Sequence, residues 1–165
     1  SYWCTGLNWC SLKVSLREAG DEDLELLLAW NSNPQVPRFL PSRPPALTWD
    51  LHHAWWKTRQ HRIDWIIEYD DGKTRPRAVG AVHVRDLNVT PEVGLYVGET
   101  DLWGRGIGRM ALELAIAWAW QQGHRRLRAM IHPRNRRSHP LFQGLGFVRV
   151  GTGRRGQWLY EKTRP

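Results

Sequence analysis

The chain has 165 residues, a formal net charge of +8 at pH 7 and a hydrophobic content of 41%. This length predicts one domain over residues 1–165, and the hydrophobic content excludes an intrinsically disordered chain. No apolar run approaches the roughly 18 residues of a membrane helix, and the first residues lack the regions of a secretory signal, so we expect a cytoplasmic protein with no membrane partner. The basic charge favours anionic partners. Because the arginines are scattered, we do not expect nucleic acid.

The two cysteines, Cys4 and Cys10, lie within the first ten residues, which we expect to be a loose N-terminal extension. Without further ligand residues nearby they make a poor metal site, so we expect no metal. They are either two free thiols or a local disulfide.

The first half of the chain alternates between extended and helical patterns. Residues 12–17 alternate in polarity and predict a strand. Residues 21–30 predict a helix with Asp21 as its N-cap and further acids in the first turn. Five prolines between residues 31 and 47 block regular structure, and Thr48 then caps a second predicted helix that ends near residue 60.

The second half predicts strands before and after one long amphipathic helix. That helix, over residues 107–122, has one continuous apolar face and ends before Gly123. The other predicted elements are strands at 64–69, 77–85, 92–98, 126–131, 147–150 and 157–161 and a short helix at 135–145. This order predicts an α/β (α+β) fold with a mixed, mainly antiparallel central sheet of six to seven strands, flanked by about four helices.

A glycine-rich turn stands between the strand at 92–98 and the long helix. Residues 102–109 read Leu-Trp-Gly-Arg-Gly-Ile-Gly-Arg. Glycines at this place allow the backbone to approach a phosphate, and the first N–H groups of the helix then point at it. The spacing matches neither the P-loop nor the dinucleotide-binding fingerprint.

Two segments resemble a known family. EVGLYVGETDLWGRGIGRMALELAIAWAW resembles the acetyl-CoA-binding core of the GCN5-related N-acetyltransferases (GNAT), whose Arg/Gln-x-x-Gly-x-Gly/Ala signature falls on residues 103–108. Trp103 departs from the Arg or Gln of the first position, as it does in members with a Trp-Gly-Lys-Gly loop. The run from Asn135 to Phe147 resembles the late helix of the family, Asn-x-x-Ser/Ala-x-x-x-Tyr-x-x-x-Gly-Phe.

The resemblance implies the GNAT fold and acetyl transfer from acetyl-CoA to an amine. Asn135 then bonds the pantetheine arm or is an ordinary helix N-cap. Arg105 and Arg109 contact phosphates, although Arg109 also fits a solvent-facing helix position. A backbone N–H near Tyr96 or Val97 stabilises the oxyanion. The cofactor loop comprises Trp103, Gly104, Arg105, Gly106, Ile107, Gly108 and Arg109.

Three side chains are candidates for proton transfer. Glu92, at the start of the strand before the loop, is either the general base or a solvated strand-end residue. His83 on the preceding strand is the alternative base, or a packed residue. Phe142 stands in the cofactor site where relatives carry the tyrosine that protonates the CoA thiolate, so Ser138 or solvent takes that role.

The acceptor is expected over the proline-rich segment and the second helix, where aromatic residues can stack on sugars, bases or a cation. Most of the 11 tryptophans are nevertheless expected in the core. The aromatic residues of the region are Trp30, Phe39, Trp49, Trp55 and Trp56. His52 and His53 are adjacent and cannot face one zinc ion together.

The acceptor is predicted to be a small-molecule amine. The stretch Leu-Ala-Trp-Asn-Ser-Asn-Pro-Gln-Val resembles amino-sugar acetyltransferases, including those for nucleotide-linked amino sugars. Alternatives are an aminoglycoside acetyltransferase, an acetyltransferase of ribosomal-protein N-termini and, from a different class, a non-catalytic CoA-binding module. We expect a monomer or homodimer.

Overall fold

The computed structural model describes residues 9–10, 13–36 and 48–165. Phe39, Cys4 and most of the proline-rich segment lie outside these residues. In the described part, eight strands form one sheet, and four α-helices pack on it. The strands are β1 Trp9–Cys10, β2 Val14–Glu18, β3 Ile63–Tyr69, β4 Arg77–Arg85, β5 Glu92–Val97, β6 Arg126–Ile131, β7 Val148–Thr152 and β8 Trp158–Thr163. The helices are α1 Leu24–Ser32, α2 Trp49–Thr58, α3 Ile107–Gln121 and α4 Ser138–Gly144.

The sheet order is β1-β2-β3-β4-β5-β6-β8-β7. Every neighbouring pair is antiparallel except β5 and β6, which are parallel and are joined through α3. The predicted mixed, mainly antiparallel sheet with four helices is therefore confirmed. The additional strand is β1, whose residues Trp9 and Cys10 pair with β2, while residues 1–8 of the expected N-terminal extension lie outside the described residues.

The two faces of the sheet carry different helices. On the first, called the α3/α4 face, Ile107, Ala111 and Ala115 of α3 are fully buried in the main core, and Phe142 of α4 joins them. On the second, called the α1/α2 face, a smaller core contains Leu27 and Trp30 of α1 and Trp56 of α2. Alternation along β5 and β6 therefore decides which side chains are presented to each face.

The start of α1 differs from the prediction. A 3₁₀ turn, Asp21–Asp23, precedes the helix, and the Asp23 carboxylate accepts from the Gly20 N–H at 2.8 Å. Asp21 does not cap; it accepts a hydrogen bond from Trp56 Nε1 at 2.7 Å. Thr48 does cap α2, because its hydroxyl accepts from the Leu51 N–H at 3.3 Å. In the described residues, no helix is long and apolar enough to cross a membrane.

A gap opens between β5 and β6. The two strands pair only at Glu92 and Arg128, where the Arg128 N–H also donates to the Pro91 carbonyl at 2.8 Å. Beyond this point no described strand pairs with β5 on its β6 side as it continues toward the glycine loop, while it stays paired with β4 through Val97. The closed end of the gap is thus at Glu92 and its open end faces the loop.

Candidate active site

The glycine loop has the backbone that its sequence predicts. Gly104 and Gly106 have φ values of +82° and +78°, in the left-handed region that favours glycine. Gly106 is the N-cap of α3. A Cβ at either glycine would meet no atom within 4 Å, so the outer side of the loop is open to a ligand.

Six consecutive N–H groups on this loop have no acceptor among the described residues. Within the described part of the chain, residues 104–109 donate no backbone hydrogen bond, and the first to do so is Met110, to the Gly106 carbonyl at 3.1 Å. Unsatisfied N–H groups at a helix N-terminus attract anions. The diphosphate of acetyl-CoA fits this loop, because it supplies the acceptors that the loop lacks.

Trp103 connects the loop to β5 and to the start of α4. Its indole Nε1 donates to the Val97 carbonyl at 2.9 Å. The Arg137 guanidinium lies 4.0 Å above its ring, which is within cation–π range. The sequence assigned no separate role to Arg137; its only signal was the Arg136-Arg137 pair inside the Asn135 motif.

The other predicted loop residues divide between surface and core. Arg105 is exposed, whereas Arg109 pairs with Glu113 at 3.2 Å on the outer side of α3. The Ile107 side chain is buried in the main core, so only its backbone faces the loop exterior. A Cβ on Gly108 would lie 3.5 Å from Leu95 and 3.7 Å from Leu141, which are ordinary contacts.

The strand register orients the N–H groups of the two candidate oxyanion donors, Tyr96 and Val97, differently. The Gly98 N–H bonds the Val79 carbonyl of β4 at 2.7 Å, and Pro91 presents its carbonyl to β6. Successive residues of a strand direct their backbone groups to alternate sides. The Val97 N–H therefore points into the gap, whereas the Tyr96 N–H belongs to the β4 ladder. The Tyr96 side chain lies on the α1/α2 face, at 6.1 Å from the Trp30 ring.

The late helix places its predicted residues differently from expectation. The Asn135 side-chain oxygen accepts from the Ser138 N–H at 3.2 Å, so Asn135 closes the turn that leads into α4 and its amide NH₂ stays available to a ligand. Ser138 is partly buried, and its hydroxyl has no partner among the described residues. The Phe142 ring is buried in the core, edge-on to Phe147 at 5.0 Å, and its contact with the cofactor stays a prediction. Leu141 is the α4 side chain that faces Gly108.

Glu92 is a buried carboxylate held by two arginines. Arg85 donates from Nε to Oε2 at 2.7 Å, and Arg154 Nη2 lies 3.0 Å from both carboxylate oxygens. Burial raises the pKa of Glu92 above its usual value, and the charge of Arg85 opposes that rise. Its carboxylate is therefore neither solvated nor free. The sequence did not predict either partner, since Arg154 follows Glu92 by 62 residues.

His83 lies beside Glu92 on the same face. Its Cα is opposite Gly94, and a Cβ on Gly94 would be 2.5 Å from His83 Cε1, so this glycine leaves room for the imidazole. Burial, with the charge of Arg62, lowers the pKa of His83 to about 3. The imidazole is therefore neutral near pH 7. Glu92, His83 and Tyr96 form a row along the α1/α2 face.

The aromatic residues near α2 have different environments. Trp30 and Trp56 are buried, whereas Trp49 and Trp55 are 46% and 38% exposed. His53 stacks on Trp49 at 5.8 Å, while His52 is buried on the helix. No group of three or more metal-ligating side chains occurs in the described residues.

The chain matches the family model of the acetyltransferase (GNAT) domain over residues 13–148. It therefore belongs to the GNAT acetyltransferase family, which confirms the predicted family.

Two of the similar proteins come from Methanocaldococcus jannaschii. The chain is 41% identical over 150 residues to its uncharacterized protein MJ1062, covering 90% of this chain and 31% of the relative. It thus spans about a third of that protein's length. The crystal structure of a domain from the same organism has 40% identity and a TM-score of 0.88, covering 92% of this chain and 99% of that one.

Aminoglycoside acetyltransferase AAC(6')-Ib in complex with coenzyme A shares the fold at 16% identity, with a TM-score of 0.77 over 92% of this chain and 95% of that one.

Proposed function

We propose that this domain transfers the acetyl group of acetyl-CoA to the primary amine of a small molecule, an amino sugar or a nucleotide-linked amino sugar. One observation carries the proposal: the loop of six unsatisfied N–H groups lies at the open end of the gap between β5 and β6. The diphosphate of acetyl-CoA would lie on the loop and its extended pantetheine arm would lie in the gap, so one ligand accounts for both features. When bound, acetyl-CoA supplies the thioester carbonyl that a neutral amine attacks.

Different residues around the gap bind different parts of acetyl-CoA. The N–H groups of residues 104–109 hold phosphate, and Arg137 and Arg105 add positive charge beside them. The amide NH₂ of Asn135 and the side chains of Leu95 and Leu141 contact the pantetheine arm. The Val97 N–H donates to the thioester oxygen, where negative charge develops.

Glu92 is the terminal proton acceptor in this proposal, and it acts at a distance. A strand rises about 3.4 Å per residue, so about 17 Å of β5 separates Glu92 from Val97. His83 lies between them in register. With a pKa of about 3 it is a poor base, but its neutral imidazole can accept a proton on one nitrogen and release another from the second. We assign His83 as a relay, with water, toward Glu92, and Ser138 as the proton donor to the thiolate.

The amino-sugar assignment is supported by where residues 28–36 lie. Trp30 packs on Gly98 at the end of β5, and its Nε1 donates to the Glu99 carboxylate at 3.2 Å. The neighbouring Asn31 faces the Tyr96 hydroxyl and partly opposes the rise that burial causes in the pKa of Tyr96. The stretch that resembles amino-sugar acetyltransferases therefore borders the α1/α2 face beside the gap, where an acceptor amine must arrive.

The test is a turnover screen that measures acetyl-CoA consumption and free CoA release. Its acceptors are amino sugars, nucleotide-linked amino sugars, aminoglycosides, polyamines, amino acids and short peptides. We expect the highest kcat/KM within the two amino-sugar groups. Higher turnover of a polyamine, an aminoglycoside or a peptide would replace the acceptor assignment. Acetyl-CoA binding without turnover of any amine would favour the non-catalytic module.

A further inference from the structure

A cavity of about 260 Å³ lies on the α1/α2 face at the closed end of the gap. Glu92 and Arg128 form its inner wall where β5 meets β6, and Arg154 closes it from the β7–β8 connection. Met130, two residues further along β6, also lines it. The cavity reaches from Asp86, Val89 and Thr90 of the β4–β5 connection along β6 as far as Met130, on the side of the gap in which acetyl transfer is proposed.

The two arginines on Glu92 are not equivalent. Arg85 is a β4 residue directly opposite Glu92 in the sheet. Arg154 comes from a short 3₁₀ turn, Arg154–Gly156, that follows Gly153 and is closed by its own hydrogen bond from the Gln157 N–H to the Arg154 carbonyl at 3.0 Å. The Arg154 side chain is 53% exposed, against 9% for Glu92. Arg154 is the more exposed of the two, since Arg85 is 36% exposed, so the Arg154 side chain can leave the carboxylate while Arg85 keeps its ion pair with Glu92.

We propose that Arg154 is the receptor for an anionic group, a phosphate or carboxylate, on the acceptor amine, and that it exchanges Glu92 for that group when the acceptor binds. The proposal rests on the proposed acetyltransferase function and specifies its acceptor class. A guanidinium matches carboxylate and phosphate oxygens with paired donors. Arg128 offers a second, partly exposed guanidinium in the same cavity, held by Glu161 through one bond of 3.2 Å.

The exchange also changes how strongly the Glu92 carboxylate holds a proton. Four charged groups face its carboxylate: Arg85 and Asp86 from the end of β4, Arg128 from β6 and Arg154 from the turn. When Arg154 leaves, the carboxylate loses one of its cations, and a carboxylate with fewer cations beside it holds a proton more strongly. Binding of the correct acceptor thus produces a stronger base. A polycationic acceptor could not pair with the buried carboxylate of this cavity, because two arginines already hold it.

The experiment compares matched acceptors that differ in the anionic group: glucosamine with glucosamine 6-phosphate, and 6-aminohexanamide with 6-aminohexanoate, in which the amine and the anionic group are far enough apart to reach the gap and Arg154 together. They are assayed with wild type, Arg154→Gln and the control Arg155→Gln, which changes the next residue of the same turn. For wild type we expect kcat/KM at least tenfold higher for the anionic member of a pair. Arg154→Gln should reduce that ratio to within threefold, and Arg155→Gln should keep it. The ratio cancels any change in Glu92 that affects both members equally.

Calorimetry gives a readout that does not depend on turnover. In CoA-saturated protein, the dissociation constant of the anionic member should rise at least fivefold in Arg154→Gln and less than twofold in Arg155→Gln. A preference confined to one pair identifies phosphate or carboxylate as the group. Equal kcat/KM within both pairs, or an unchanged preference in a folded Arg154→Gln, overturns the proposal and leaves the acetyltransferase function standing. Absence of turnover with every amine of the wider screen rejects both.

Discussion

The Arg137 guanidinium lies 4.0 Å above the Trp103 ring, and the Trp103 indole donates to the Val97 carbonyl at 2.9 Å. This connection joins the start of α4, the glycine loop and the end of β5. The family signature has Arg or Gln at the position of Trp103. In this chain the cation beside the loop is instead provided by a residue 34 positions later, on the far side of the gap.

Arg137 should therefore contribute to acetyl-CoA affinity. We expect Arg137→Gln to weaken binding about fivefold to tenfold, or about 1–1.4 kcal/mol, as for one partly solvated charge-assisted contact. Arg136→Gln is the matched control, because Arg136 is exposed next to it, and it should change the dissociation constant less than twofold. Calorimetry with acetyl-CoA measures both. Equal effects of the two variants would assign only a diffuse electrostatic role to Arg137.

Two of the loop glycines, Gly106 and Gly108, should respond differently to alanine. Gly106 has φ +78°, where a Cβ costs about 1–2 kcal/mol, so Gly106→Ala should lower the free energy of unfolding by that amount. It should also weaken acetyl-CoA binding, because relief of the strain turns the N–H groups away. Gly108 has ordinary space for a Cβ, so Gly108→Ala should stay within about 0.5 kcal/mol of wild type. Urea unfolding and calorimetry test both. Equal destabilisation would contradict the left-handed loop geometry.

The sequence predicted what depends on neighbouring residues. Periodicity gave α3 to within one residue, and it gave both ends of β4 and β6 correctly. The glycine loop could be predicted because residues 102–109 are contiguous and their chemistry is carried by backbone groups. The Thr48 cap could be predicted because its partner, Leu51, is three residues away.

What the sequence did not predict depends on distant contacts. The Arg154–Glu92 pair spans 62 residues, and nothing in the Arg154-Arg155 dipeptide distinguishes it from a solvated pair. The burial of Phe142 required the position of Phe147 across the helix end. The choice of Val97 over Tyr96 followed from the pairing of β4 with β5, because periodicity alone does not say which strand edge stays unpaired.

The Glu92 proposal predicts a pH profile. Glu92→Gln removes the proton acceptor with little change in shape, so we expect kcat/KM to fall about 10²-fold to 10⁴-fold while acetyl-CoA affinity stays within threefold. In wild type, activity should fall on the acidic side as Glu92 becomes protonated, at a pH above that of an ordinary glutamate, because burial raises its pKa. In Glu92→Gln this acidic limb should be absent. A variant within threefold of wild type at every pH would exclude Glu92 as the base.

An Arg85 variant tests the direction in which a neighbouring charge shifts the pKa of Glu92. Its charge opposes the rise in the Glu92 pKa, so Arg85→Gln should raise that pKa further and move the acidic limb of kcat/KM to higher pH. Arg77→Gln is the control, since Arg77 lies at the other end of β4 and pairs with Asp101; its limb should not move. Steady-state kinetics between pH 5 and 9 in one mixed buffer measures the shift. A limb that moves to lower pH would contradict the ion-pair account.

Substitutions at Phe142 and Ser138 should differ in their effects on stability and on kcat. Phe142 is buried beside Phe147, so Phe142→Tyr places a hydroxyl in the core. Without a partner it should cost about 1–3 kcal/mol of unfolding free energy and should not raise kcat. Ser138→Ala should keep stability within about 0.5 kcal/mol but lower kcat, most at high pH, where solvent is the poorer proton source for the thiolate. Urea unfolding and a kcat–pH profile separate the two. A gain in kcat for Phe142→Tyr would mean that the new hydroxyl reaches the thiolate, and a Ser138→Ala effect below twofold at pH 9 would leave the thiolate departing unassisted.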